Sequence, residues 1–281
     1  MKIGITGATG QLGRLVVEKL KQRTNTANLV ALVRSPEKAA DLGIEAQAFD
    51  YTKPEALVNA LQGIDYLLLI SGNEVGQRKT QHENVIKAAK KTDIKWIVYT
   101  SLLHADTSSL SLAEEHLATE ELLKSSGIPY TILRNGWYTE NYTGSIPGAI
   151  GAGAFIGSAG DGKISSAARE DYAEAAAVVL TSEGHQGKLY ELAGDQAYTL
   201  KDLAAEISLQ TGKDIPYNNL TEEEYAGVLK TIGLPEGLAQ SIASWDVGAS
   251  KGDLFNDSQA LSKLIGHPTT PLAETVKEAL L

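Results

Sequence analysis

The opening residues MKIGITGATGQLG, numbers 1–13, run a short β-branched stretch (Ile3, Ile5, Thr6) straight into Gly7-Ala8-Thr9-Gly10-Gln11-Leu12-Gly13. Three glycines at this spacing mean little alone. Here they follow a strand pattern and open an amphipathic helix pattern over 11–22. In that context each glycine has a task. Gly7 permits the sharp turn, Gly10 lets backbone approach a pyrophosphate, and Gly13 lets the helix pack on the strand. The helix starting near Gln11 then offers its free N–H groups and its positive end to an anion. Gly7, Thr9, Gly10, Gln11, Leu12 and Gly13 are therefore the expected pyrophosphate-binding residues of a dinucleotide site. The alternative, a glycine-rich turn with no ligand, is disfavoured by the strand–turn–helix setting.

Outward from this loop, apolar runs alternate with amphipathic segments. Strands are expected at 2–6, 28–34, 45–50, 66–71, 95–100 and 130–135. Helices fit between them at 11–22, 36–42, 54–62, 77–91 and about 112–125. Several strands (LVALV, YLLLI, WIVY) are apolar on both faces, as they must be when helices cover each side. The alternation predicts an α/β fold, a Rossmann-type doubly wound parallel sheet, with a smaller C-terminal lobe. The expected division is 1–140 for the dinucleotide-binding Rossmann domain and 141–281 for a smaller substrate-side lobe. The two are partly interleaved, with a helix and a strand in about 169–194 returning to the sheet. Thr199 and the capping box Thr221-Glu222-Glu223-Glu224 mark helix starts in the second half.

Cofactor choice is made at the end of the second strand, about 20 residues past the glycine loop. An acidic residue there would bind a ribose 2′-hydroxyl. This chain has Arg34, whose guanidinium suits the 2′-phosphate of NADPH by a bidentate pair. A solvated arginine at a strand end is the plainer reading. Ligands in such folds lie outside the carboxyl ends of the strands, which adds Asp50, Ser71, Gly72 and Asn73 to the expected cofactor contacts.

Composition narrows the function. The 281 residues contain no cysteine, which excludes disulfides, thiolate metal sites and cysteine nucleophiles. The five histidines lack helical metal spacing, so no metal is expected. A formal charge of −10 disfavours nucleic acid as a partner. Apolar runs are strand-sized, far short of the roughly 20 residues that span a bilayer, so no membrane insertion is expected. No signal peptide is read, and the expected compartment is cytoplasmic. Two motif spellings are decoys. Gly157 to Lys163 resembles a P-loop but is followed by Ile164 instead of Ser or Thr. Gly248-Ala249-Ser250-Lys251-Gly252 spells a nucleophile elbow without a clear strand before it.

GATGQLG, Arg34, EVGQRKTQHENVIKAAK (74–90), SLLHADTS (101–108), LRNGWYTENY (133–142) and GDGKISSAAREDYAEAAA (160–177) together carry a resemblance across nearly the whole chain. It resembles the NmrA-like branch of the atypical short-chain dehydrogenases, most of all its quinone-reducing members and, next to them, its triphenylmethane dye reductases. The resemblance implies NADPH as cofactor and a two-electron reduction of a quinone or similar planar electrophile. Conventional short-chain dehydrogenases use a Tyr-x-x-x-Lys pair. Here Leu112 and His116 stand at those positions, so the pair is absent and the catalytic residue is unknown. An isolated ketone needs a proton donor as hydride arrives, whereas a quinone is already a strong electrophile. His116 is read either as a proton relay or, more simply, as a partly exposed helix residue. Trp137, Tyr138 and Asn141 are the expected substrate contacts, the rings by stacking and the amide by hydrogen bonding. Core anchoring is an equal alternative for the two aromatics. The rival function is a non-enzymatic NADP(H)-sensing regulatory protein of the NmrA-like type. An oligomer is possible.

Overall fold

A computed structural model describes all 281 residues. In chain order the elements are β1 (Ile3–Thr6), α1 (Gln11–Lys21), β2 (Leu29–Val33), β3 (Glu45–Ala48), α2 (Pro54–Ala60), β4 (Tyr66–Leu69), α3 (Arg78–Ala89), β5 (Trp96–Leu102), α4 (Ala113–Ser126) and β6 (Tyr130–Asn135). They continue with α5 (Glu140–Thr143), α6 (Ile146–Ala152), β7 (Phe155–Gly157), α7 (Arg169–Thr181), β8 (Leu189–Leu192), α8 (Leu200–Thr211) and β9 (Tyr217–Asn219). The last four are α9 (Glu222–Thr231), α10 (Glu236–Ser250), α11 (Ala260–Ile265) and α12 (Leu272–Ala279). Residues Pro36–Leu42, expected as a helix, form a 3₁₀ helix instead. Pro36 presets its first turn, and Gly43, in the left-handed conformation, stops it after seven residues.

Seven strands form one sheet in the order β3-β2-β1-β4-β5-β6-β8, with the pairs from β3 through β6 all parallel. This is the doubly wound order. The chain reverses direction across the sheet between β1 and β4, which opens a crevice at their carboxyl ends. The strand interiors explain the arrangement: every residue of β1, β2 and β5 is buried. Leu32, Leu57, Leu67, Val85, Ile97 and Leu123 belong to one core cluster that joins α2, α3 and α4 to the sheet. Each such side chain contributes roughly 1.5–3 kcal/mol.

The chain divides into two compact units. One comprises Met1–Asp106, Leu112–Asn135 and Arg169–Tyr190. In it α7 lies beside α1, tied by Lys19 to Glu170 at 2.8 Å and to Glu174 at 3.0 Å. The other comprises Thr107–Ser111, Gly136–Ala168 and Glu191–Leu281, with a two-stranded parallel sheet of β7 and β9. Its helices begin as the sequence indicates. Thr221 Oγ accepts the Glu224 N–H at 3.3 Å, while the Thr221 N–H donates to the Glu224 carboxylate at 2.9 Å. The GASKG stretch closes helix α10 and continues into a turn, so no strand leads into Ser250. No helix is long and apolar enough to cross a membrane.

Candidate dinucleotide site

The Gly7 loop forms as its spacing demands. Gly7 sits at φ +60° and donates its N–H to Leu32 O at 3.1 Å, while Gly10 N–H closes the turn on Gly7 O at 2.9 Å. Gly10 caps α1 in extended conformation, no side chain satisfies the helix end, and the first turn holds no acidic residue. The N–H groups that an α-helix leaves unpaired at its start are thus available to an anion. Gly13 is fixed by contact: a Cβ there would collide with Gly7 O and stand 2.7 Å from Ala8 Cα. Gly7, Gly10 and Gln11 are exposed and Thr9 half-buried. Leu12 and Gly13 are buried, so they serve through backbone and packing.

The loop after β4 is bolted in place. Thr6 Oγ accepts the Ile70 N–H at 2.9 Å, and Thr100 Oγ accepts the Ser71 N–H at 3.0 Å. Gly72 is gripped from both sides: its N–H donates to His82 Nε2 at 3.0 Å, and Arg78 Nε donates to its carbonyl at 2.5 Å. Tyr51 completes the set by donating its phenol to Ile70 O at 3.0 Å. Since His82 Nε2 accepts, Nδ1 carries the proton and donates to Thr119 Oγ at 2.9 Å, and that hydroxyl passes on to Glu115 O at 2.9 Å. The missing side chain of Gly72 would face Gln81 Oε1 at 3.1 Å, so its smallness serves packing against α3. The sequence reading does not reach Arg78 and His82. Their i, i+4 spacing on α3 is the one available signal that they share a face.

Burial pushes the His82 and His116 imidazoles down to about 3, with the Arg78 charge adding to it. His116 is buried and shares a hydrogen bond of 2.8 Å between its Nδ1 and the Tyr99 phenol, which corrects its reading as a partly exposed residue. Each imidazole, ordinarily at 6.5, is neutral when folded. Between those two values the unfolded chain binds more protons than the folded one. The contribution is complete above pH ~6.5 and lost as pH falls toward 3, at about 1.4 kcal/mol per pH unit for each histidine. Urea unfolding is expected to show a steep loss of stability from pH 6.5 to 5. The double variant His82→Gln/His116→Gln should flatten that slope, and an unchanged slope would refute the assignment.

Arg34 is exposed, and its Nη1 donates to Glu74 Oε1 at 2.9 Å. Asn73 next to Glu74 is exposed, and Ser71 is half-buried. Asp50 accepts from the Thr52 N–H at 3.0 Å and its hydroxyl at 2.8 Å, with Lys53 at 3.5 Å, so its carboxylate is engaged in its own turn. At the far end, Arg134 donates to both oxygens of Glu120 at 2.8 Å, and Ser101 donates to Glu120 at 2.6 Å. Asn135 closes β6 with both polar atoms of its amide buried and without a hydrogen-bond partner. Such a donor–acceptor pair is what a ligand or solvent group completes. The sequence reading places Asn135 among the residues at the carboxyl ends of the strands, where ligands lie, without giving it a contact.

Trp137, Tyr138 and Asn141 all fall in the second unit. Trp137 is buried and meets Trp245 edge-on, ring centres 5.6 Å apart. Trp245 is held by its indole N–H on Ser111 Oγ at 3.1 Å. Tyr138 is half-buried and bridges to Ala167, and Asn141 is exposed. Trp245 lies more than a hundred residues from Trp137, and no sequence pattern links them. No group of three or more His, Cys, Asp or Glu is placed to hold a metal ion. The uncapped helix start, the Gly13 contact, exposed Arg34 and unbonded Asn135 fit a phosphorylated dinucleotide.

A family model described as NAD(P)H-binding matches residues 7–183. Quinone oxidoreductase 2 of Escherichia coli (strain K12) is 60% identical over 277 residues, covering 98% of this chain and 97% of its own. The crystal structure of the Escherichia coli NADPH-dependent quinone oxidoreductase complexed with NADPH superposes with a TM-score of 0.97 at 58% identity, covering 99% of this chain and 100% of that one. The Citrobacter sp. triphenylmethane reductase complexed with NADP(H) follows at 0.96 and 40% identity, covering 99% and 100%.

Proposed function

The chain belongs to the NAD(P)H-binding family of NmrA-like oxidoreductases, and from that premise we propose that it reduces quinones to hydroquinones with NADPH. The observation that carries this is the 60% identity, over almost the full length of both chains, to a quinone oxidoreductase. The 60% relative is named an oxidoreductase and the 40% one a reductase, which leaves the regulatory reading the weaker of the two.

NADPH supplies the hydride, and one proton from solvent completes the two-electron balance that gives NADP⁺ and hydroquinone. The chain's own residues bind and orient. The open start of α1 receives the pyrophosphate, with Gly7, Thr9, Gly10 and Gln11 at the surface of the turn. Arg34 reads the 2′-phosphate. Ser71 and Gly72, held rigid by Thr100, His82 and Arg78, would offer the cofactor a fixed stretch of backbone. Positioning of this kind supplies most of what an electrophilic acceptor requires. Leu112 and His116 stand where a Tyr and a Lys would otherwise work, and His116 is locked to Tyr99. The site is thereby biased away from plain ketones. Trp137, Tyr138 and Asn141 are assigned to the acceptor. The cysteine-free composition suits a cytoplasmic enzyme, an atypical short-chain dehydrogenase in type.

Steady-state NADPH oxidation by the purified protein with a panel of benzoquinones and naphthoquinones tests the reading. Turnover above background is expected, with simple ketones inert. No quinone-dependent oxidation would end it. Arg34→Ala is expected to weaken NADPH binding by about 1.5–3 kcal/mol, the scale of a charge-assisted hydrogen bond, and to leave NADH nearly untouched. Fluorescence titration with both cofactors checks this, and equal losses would remove Arg34 from the role.

A further inference from the structure

We propose that Glu74 is an internal competitor for the 2′-phosphate of NADPH, pairing with Arg34 and so setting how strongly the site prefers NADPH to NADH. The proposal rests on Arg34 being the 2′-phosphate reader.

The topology puts the pair where it matters. Arg34 follows β2 and Glu74 follows β4, and these two strands flank β1 in the sheet. The ion pair therefore reaches from one side of β1 to the other, at the carboxyl end where β1 carries the Gly7 loop. A dinucleotide in this fold lies along that same end.

Glu74 is aimed, not free to wander. Its Oε2 accepts from Gln81 Nε2 at 2.8 Å, and Gln81 is only 6% exposed and fixed in α3. That bond leaves Oε1 toward Arg34 at 2.9 Å. Elsewhere the β4–α3 loop is tied by partly buried bonds from Thr6, Thr100, His82, Arg78 and Tyr51, and by the Gly76 N–H on Glu115 at 3.0 Å. The Arg34–Glu74 bond is different, since these side chains are 66% and 44% exposed. It is a side-chain tie that solvent reaches and a ligand can exchange.

The charges decide the direction. A phosphate monoester carries about −1.5 to −2 at neutral pH and presents the same bidentate geometry as a carboxylate, so it takes Arg34 from Glu74. Each NADPH bound must break the resident pair, and NADH breaks nothing. An exposed carboxylate–guanidinium pair shifts an equilibrium by no more than about fivefold. That bounds the penalty on NADPH.

Titration of the full chain by reduced-nicotinamide fluorescence, at low ionic strength, compares wild type, Glu74→Gln, Arg34→Ala and the double variant. Glu74→Gln should tighten NADPH by about two- to fivefold and leave NADH unchanged, the gain shrinking at high salt. In the Arg34→Ala background the same change should do nothing to NADPH. Unchanged or weaker NADPH binding in Glu74→Gln overturns the proposal, as does a gain shared with NADH or one that survives the loss of Arg34. If Arg34→Ala binds NADPH as wild type does, the assignment of Arg34 itself has failed, and this inference with it. If Arg34→Ala loses NADPH while Glu74→Gln gains none, only the role of Glu74 is lost.

Discussion

Gly13→Ala is expected to destabilise the protein by about 1–3 kcal/mol and to weaken NADPH binding at least tenfold. Elsewhere the same exchange helps a helix, because alanine is the better helix former by roughly 0.8–1 kcal/mol. At Gly13 the new methyl group would run into Gly7 O, Gly7 C and Ala8 Cα. All three atoms are backbone, and all belong to the turn that shapes the site. None can swing aside as a flexible side chain would. Relief requires α1 to withdraw from the strand end, which carries its unpaired N–H groups away from the pyrophosphate. Gly148→Ala in α6 is the control, since a methyl group there meets nothing within 4 Å. It should be neutral or mildly stabilising. Urea midpoints and fluorescence titration read the two effects separately. If Gly13→Ala matched wild type in both, the close contact would not be what selects glycine.

Features set by short-range pattern were legible in the sequence. Ile3, Ile5 and the LVALV run announced buried strands, and Gly7, Gly10 and Gly13 announced the turn and its close contact. The empty Tyr and Lys positions could be read by counting along α4. What escaped depends on partners that only the folded topology brings near. Arg34 meets Glu74 across 40 residues, and His82 meets Thr119 across 37. Helix α4 shows a second obstacle. His116, Thr119, Glu120 and Leu123 share one buried face, yet three of the four are polar. By hydrophobic periodicity such a stripe reads as a solvated surface, and nothing in it contradicts the reading of His116 as a partly exposed helix residue. The face is buried because each polar atom finds a partner: Tyr99 for His116, His82 for Thr119, and Arg134 for Glu120.

The heaviest cost is expected at that last partner. Glu120 is wholly buried, and Arg134 is 3% exposed. Nε and Nη2 of Arg134 engage the two Glu120 oxygens, Ser101 adds a third bond, and Arg134 Nη1 reaches Asp106 at 2.7 Å. Glu120→Ala strips the guanidinium of its buried carboxylate, while Asp106, which it also meets, is largely in solvent. Breaking a buried pair from one side costs about 3–5 kcal/mol, because the remaining charge stays desolvated and uncompensated. The loss should spread to cofactor binding, since this network ties α4 to the ends of β5 and β6. The double variant Arg134→Met/Glu120→Leu separates charge from packing. With both ions replaced by apolar side chains of similar volume, most of the lost stability should return. Urea unfolding of the single and double variants gives the answer. A Glu120→Ala protein as stable as wild type would show that Arg134 does not depend on Glu120 for its compensation. A double variant no better than the single would show that shape, and not an orphaned charge, is what Glu120 supplies beneath the strand ends.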